Sequence, residues 1–581
     1  MKQTRLVFAF VLALLSGCSK EAPSPQSKSP LPQPPLVSTA EPGRHGGRLM
    51  LSTLGTPGTF NPLFASDPAS VEVSQLLFSS LVRMDFAAQE IRPALAESWS
   101  VAPDQKTWTF NLRRGLRWSD GAPLTADDVL FTWNDVIYNP ELQTPVAEMF
   151  QLMTAKPAVT KTGENSIRIV LPEIFAPFVE FFGTVPILPK HSMAQVAREK
   201  KFNAALTQII SSGPYRVKQM SRGATVLERN PEFWVVNSKN QRLPYFDEIV
   251  FVATSGFAEQ SGLFLGGETM IHDRVRPDEF ERFQKAAKKT GFRLLDLGTG
   301  AEKDFICFNQ NTNTDRLTGK NFVAPAKLKW FRQPKFRQAI SCAIDRERLA
   351  REVYSGRATP AYDFISRENK KWCNTNTVRF ACDLNRARAL LAEIGIQDRN
   401  KDGILEDADG NQIEFALVTN SENSGRMKTA ALLREMFGKL GIKMGFQTVD
   451  FPTMIAKVNR GSDYDCALLG LGGGGNDPIT SWSVLKSSAP VHQWFPNQAK
   501  PSTDWEARID QLMDAQLVTL DFAARKKAFD EVQAILAGQQ PMIFTVSPNS
   551  FAAVSLKIGN VRPSASSQNR VSWNLEELFF K

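Results

Sequence analysis

Histidine is scarce in this chain: His45, His191, His272 and His492 are the only four in 581 residues. They are scattered, with no HExxH and no adjacent pair, which argues against a histidine-rich zinc site. A GxSxG elbow is also missing. Ser483-x-x-Lys486 and Lys161-Thr162-Gly163 both occur, but in the reverse of the chain order that a penicillin-binding enzyme uses. No enzyme is indicated. Apart from Leu6 to Leu15, no apolar stretch approaches the length of a membrane span. Long basic runs are lacking too, so the net charge of +9 is dispersed and does not describe a nucleic-acid interface.

What is present begins with an export signal. Lys2 and Arg5 precede the apolar run, and Leu15-Ser16-Gly17-Cys18 follows it, the pattern of a signal peptide (1–17) ending in a lipobox. Cleavage before Cys18 and lipidation of its sulfur would anchor the protein to a membrane, each buried methylene contributing about 0.8 kcal/mol. The bilayer could be the inner or the outer one. Residues 18–43 are rich in proline and serine, read as a tether without a core of its own.

An exported location permits disulfides. Five cysteines remain after Cys18. Cys373 and Cys382 bracket a polar loop, and closing so short a ring would contribute roughly 2–3 kcal/mol. Cys307, Cys342 and Cys466 lie in apolar contexts and read as small buried hydrophobes. A bond between strands stays open for them, and the odd count leaves at least one free thiol.

The length exceeds one core, so two or three domains are expected. Trp108, Phe110 and Leu112 alternate with polar residues as in a half-buried strand, and Asp120-Gly121 supplies a turn. Thr125 with Asp128 then forms a capping-box pattern ahead of Val129, Leu130 and Trp133. Further along, Ala387, Leu390, Leu391 and Ile394 mark one helical face, and Ile509, Leu512, Met513, Leu517 and Leu520 another. Ile413 to Val418 and Lys443 to Val449 read as strands. Helices alternating with strands imply α/β lobes.

Residues 94–139, together with SSGPYRV (211–217), LERNPEFW (227–234) and FRQAISCAIDRERLAREVYSGRATPA (336–361), resemble the landmarks of extracytoplasmic solute-binding proteins of the oligopeptide-, dipeptide- and nickel-binding family. The resemblance covers the chain from Gly46 onward. It implies a periplasmic-binding-protein-like α/β fold of class II, with two lobes, a hinge and an inserted domain. Lobe I would comprise 44–76, 206–303 and 546–581, the inserted domain 77–205, and lobe II 304–545. The implied function is capture of a peptide-like solute between the lobes and delivery to an ABC permease with its ATPase subunits. A monomer held on the periplasmic face of the envelope is expected, with no nucleic-acid partner and no required cofactor. A ligand sensor or chaperone of the same fold is the alternative, and a surface peptide hydrolase a more distant one.

The sharpest candidate for a ligand loop is Gly470 to Pro478, because consecutive glycines let backbone groups approach a ligand closely. It lacks the lysine of a phosphate loop. Within it Gly472, Gly473, Gly474, Asn476 and Asp477 are expected near the ligand, followed by Trp482. The resemblance adds Asp67, Asn309 and Trp372. It also implies a departure: where peptide binders carry an aspartate for the ligand's amino terminus, this chain has Gly474.

One motif is independent of that resemblance. Asp398, Asn400, Asp402, Glu406 and Asp409 fall at the first, third, fifth, ninth and twelfth positions of a loop, with Gly403 sixth and the Ile404 carbonyl seventh. Calcium needs six to eight hard oxygens and glycine permits the sharp turn. Two readings stand: a structural Ca²⁺ loop, or an acidic helix-to-strand turn without metal.

Overall fold

The computed structural model describes residues 29–142, 144, 146–147, 153–199, 209–315, 318–461, 463–472, 475 and 477–581. The signal peptide and Cys18 lie outside the described residues, as do Gly473, Gly474 and Asn476. The chain forms two compact units. Unit 1 comprises the residues up to Val275, Glu279–Leu295 and Ala552–Lys581, and unit 2 comprises Arg276–Asp278 and Asp296–Phe551. No helix among the described residues is long and apolar enough to cross a membrane.

Among the described residues, unit 1 contains two four-stranded sheets beside smaller two-stranded pairs. Strand β1 (Arg48–Leu54) leads to helix α1 (Pro68–Leu77); β2 (Ala96–Val101) and β3 (Thr107–Leu112) follow, then α2 (Ala126–Leu130), β4 (Ala158–Gly163) and β5 (Ser166–Val170). The capping box of α2 is present, with Thr125 Oγ1 accepting from the Asp127 N–H at 3.3 Å and Asp128 Oδ2 from the Thr125 N–H at 2.9 Å. After α2 the helix widens to π-type turns over Phe131–Ile137. The strand order is β2-β3-β5-β4, and Trp108, Phe110 and Leu112 of β3 are buried as their alternation requires. The other sheet combines β6 (Tyr215–Met220), β7 (Ala224–Arg229) and β8 (Glu248–Thr254) in the order β1-β8-β7-β6, with β1 and β8 parallel.

The proline-rich segment departs from the expected free tether. From Ser29 onward it lies on unit 1: Leu36–Val37 pair in parallel with Val235–Val236. Proline lacks an N–H, so such a backbone offers more acceptors than donors. Arginines supply the difference. Arg113 donates to the Pro34 carbonyl at 2.8 Å, and Arg242 to those of Ser29 and Pro30 at 2.9 Å.

Strand β9 (Phe292–Thr299) begins in unit 1 and ends in unit 2. Unit 2 is built on β10 (Lys303–Phe308), α3 (Leu384–Ala392), β11 (Glu414–Asn420), α4 (Ser424–Leu440), β12 (Lys443–Val449), β13 (Cys466–Leu471), α5 (Asp504–Leu517), α6 (Phe522–Gln539) and β14 (Ile543–Phe544). Strand β15 (Val546–Ser555) then returns the chain to unit 1. The five-stranded sheet has the order β12-β11-β13-β10-β14. Its centre is covered on both faces. Ile306, Phe308, Phe415, Leu417 and Leu468 enter one core, while Phe305, Cys307, Val418, Ala467 and Leu469 enter the other. Period-two alternation in strands buried on both sides explains why β10 is continuously apolar from Phe305 to Phe308.

Candidate functional site

The glycine loop leaves the end of β13, the middle strand of that sheet. Its first residue, Gly470, is glycine for a steric reason: a Cβ there would overlap the guanidinium of Arg426. Arg426 is buried and donates through Nε to Asp304 Oδ1 at 2.9 Å, while Tyr354 donates its hydroxyl to Asp304 Oδ2 at 2.8 Å. Burial and the Asp304 charge hold the Tyr354 hydroxyl well above the usual phenol range. This polar cluster supports the strand from which the loop departs.

Beyond it, Phe364, Leu471, Gly472, Gly475, Thr480 and Val484 line a concavity of about 90 Å³. Thr480 ties the loop together, its hydroxyl accepting from the Gly475 N–H at 3.0 Å and donating to the Asp477 carbonyl at 2.8 Å. Lys303 fixes the opposite wall, donating to the carbonyls of Asp363 and Phe364 at 2.9 and 2.5 Å. Burial pushes the Lys303 amine down to about 7.

Of the residues expected near ligand, Gly472 is exposed and lines this concavity. Trp482 is half-buried and packs against the second core. Asp477, Trp372 and Asn309 are interior groups: Asp477 is ion-paired with Arg525, Trp372 sits in the same core, and Asn309 donates to the carbonyls of Gly461 and Tyr464 at 3.0 and 3.1 Å. Asp67 caps α1, accepting from the Ser70 N–H at 2.8 Å and its hydroxyl at 2.5 Å. Sequence reasoning passed over Lys303, Asp304, Arg426 and Arg525. A signal existed for three of them: Lys303 and Asp304 open an apolar strand, and Arg525 shares a helical face with Phe522, Phe529 and Val532.

The disulfide expected between Cys373 and Cys382 is absent, and both are free thiols. Cys373 Sγ points inward, 3.5 Å from the Ile365 carbonyl, whereas Cys382 is exposed just before Asp383, the N-cap of α3. Cys307 and Cys466 sit on adjacent strands but face opposite cores, so they too remain unbonded.

In the acidic loop, Asp398, Asp402 and Glu406 gather with carboxylate oxygens within 4.8 Å of one another. Asn400 Oδ1 accepts from the Asp402 N–H at 2.9 Å and its amide donates to Asp402 Oδ2 at 3.1 Å. Asp409 does not join them. Its carboxylate pairs with Lys329 at 2.7 Å, which corrects its expected place as the last ligand. Among the described residues, no other set of three acidic, histidine or cysteine side chains comes together in this way.

Unit 1 holds a larger cavity, about 200 Å³, that shares no residue with the glycine loop. Glu72, Arg83, Asn574, Glu576 and the indoles of Trp234 and Trp573 line it. Arg83 pairs with Glu576 at 3.0 Å. Desolvation, reinforced by the Asp273 charge, pushes Glu72 up to about 7.

Residues 90–493 match the profile of bacterial extracellular solute-binding proteins, family 5, and the chain belongs to that family. A probable ABC transporter-binding protein of Deinococcus radiodurans is 27% identical over 566 residues, covering 92% of each chain. The oligopeptide-binding protein AppA of Bacillus subtilis is 25% identical over 569 residues, covering 95% of this chain and 94% of its own. The solved structure of that AppA, in complex with a nonapeptide, superposes with a TM-score of 0.68 over 93% of this chain and 100% of its own, at 23% identity. NikZ of Campylobacter jejuni, in complex with Ni(L-His), gives a TM-score of 0.71 over 92% and 99% at 20% identity. At these identities the structures establish the fold, two lobes with an extra domain. The relatives named here are binding proteins, and the family match makes this chain an extracellular solute-binding protein.

Proposed function

We propose that this protein captures peptides outside the cytoplasm and hands them to an ABC permease driven by its ATPase subunits. The observation that carries the reading is full-length correspondence with an oligopeptide-binding relative, through both units and the inserted segment. Crossing from one unit to the other along β9 and β15 suits hinge bending, in which ligand shifts the population toward a closed state. No covalent chemistry is required of the chain.

The glycine loop would present main-chain donors and acceptors to the peptide backbone, which reads peptides with little regard to side chain. With glycine at 474 and Asp477 engaged by Arg525, neither position supplies a free carboxylate for an amino terminus. Recognition would therefore rest on the peptide backbone. Cys18 would carry the lipid.

Calorimetric titration with peptides of two to nine residues, in free and N-acetylated forms, tests the reading. Saturable binding that acetylation changes by less than tenfold supports it. An absence of binding to every peptide, with tight binding of a sugar or metal chelate, would replace the substrate class.

A further inference from the structure

We infer that the loop between α3 and β11 is a structural calcium site, built by Asp398, Asn400, Asp402, Glu406 and the Ile404 carbonyl. The spacing alone would not establish it, because acidic turns are common. Two oxygens decide the matter. Glu406 is 5% exposed, and its Oε1 has no hydrogen-bond partner and almost no contact with solvent; Asp398 Oδ1 is likewise covered and unpartnered, although the rest of that side chain is exposed. Each carboxylate has spent its other oxygen on the loop backbone: Glu406 Oε2 accepts from the Arg399 N–H, and Asp398 Oδ2 from the Gly403 N–H, both at 3.0 Å.

Leaving a buried carboxylate oxygen bare is unfavourable by more than an ordinary lost hydrogen bond, since the group is charged. The bare oxygens of Glu406 and Asp398 belong to the very cluster that brings three carboxylates within 4.8 Å. Three negative charges so close repel one another unless a cation lies among them. A divalent ion removes both penalties. Calcium fits better than magnesium, because the donors are side-chain and main-chain oxygens on an irregular loop rather than an octahedral set filled out by water. Gly403, at φ +86°, makes the turn that folds Glu406 back toward Asp398.

The ion would act on the fold of unit 2, away from the glycine loop. Leu405, next to Glu406, enters the core, and its N–H donates to the Gly441 carbonyl at 2.8 Å, at the entry to β12. Its carbonyl accepts from the Ile413 N–H at 2.8 Å, immediately before β11. Clamping the loop thus fixes how two neighbouring strands begin.

Trp330 provides a reporter, since its indole Nε1 donates to Asp407 Oδ2 at 2.9 Å, one residue from Glu406. Terbium added to the mature, full-length protein is expected to give saturable luminescence when excited through tryptophan. Calcium should displace it and equimolar magnesium should not. Trp330→Phe should lose the emission and keep calcium binding. Glu406→Gln and Asp398→Asn should each weaken calcium binding at least tenfold. Chelator should lower Tm of the wild type by about 5 °C relative to saturating calcium. Equilibrium dialysis that finds no calcium on the wild type at about 1 mM, the weak end for extracellular sites, overturns the assignment whatever the variants do. So does wild-type affinity in both carboxylate variants.

Discussion

Asp477 and Arg525 form a buried ion pair 48 residues apart, with Arg525 Nη2 lying 2.9 and 2.7 Å from the two carboxylate oxygens. The side chains are 2% and 8% exposed. Arg525 also donates to the backbone and side-chain oxygens of Gln516, and its guanidinium lies 5.1 Å from the Trp372 ring centroid. The pair fastens the outgoing end of the glycine loop to α6. Removing one partner strands a buried charge, so Asp477→Ala should lower stability by about 3–5 kcal/mol in urea denaturation. Were Asp477 instead a direct contact for the ligand's amine, Asp477→Asn would abolish peptide binding with stability intact.

Lys303 provides a pH test. Its amine is driven down to about 7 by burial, from 10.5 in an unfolded chain. For a base depressed on folding, the stabilising contribution is whole above the unfolded value and is lost as pH falls through the folded one. Wild-type stability relative to Lys303→Met should therefore rise between about pH 7 and pH 10, measured as the difference in Tm. A difference that stays flat would show that the amine is charged within the fold.

Gly470→Ala tests the packing beneath the loop. A methyl there must displace Arg426 from Asp304 or push β13 aside, and overpacking of this kind destabilises by about 1–3 kcal/mol. Urea denaturation would measure it. Combining it with Arg426→Met should give less than the sum of the two single effects, because the clash and the ion pair involve the same guanidinium.

The thiols make a simpler forecast. Brief alkylation of the native protein, read by peptide mass spectrometry, should modify Cys382 first, because it alone among the described cysteines is exposed. Cys307, Cys342 and Cys466 should label only after unfolding. Burial raises the Cys307 thiol to about 12, leaving almost no thiolate at neutral pH.

Local signals carried much of the fold. The capping box at Thr125, the alternation in β3, and the limits of β12 were all legible, because caps and periodicity act over a few residues. The buried residues of α5 include Ile509, Leu512, Met513 and Leu517 of the face read, but Leu520, read on the same face, lies beyond the end of the helix. Long-range pairings were not legible. Nothing near Asp477 announces Arg525, and nothing near Gly470 announces Arg426. Trp372 and Asn309 illustrate a second limit: an indole or an amide suits a pocket wall and an interior equally, and only the surrounding chain separates the two. The spacing of Cys373 and Cys382 invited a ring, but the turn at Cys373 aims its sulfur inward. For the proline-rich segment, composition described a solvated chain, while the arginines that bind its carbonyls lie far along the sequence.

On the proposed function the protein holds a peptide and releases it unaltered. Native mass spectrometry of the mature protein, purified from its cell envelope without refolding, tests this most directly. The expected result is a population carrying a noncovalent adduct that dissociates, on collision, into peptides with intact amide bonds. Adducts that are consistently non-peptidic, or peptides cleaved on incubation with the pure protein, would contradict it.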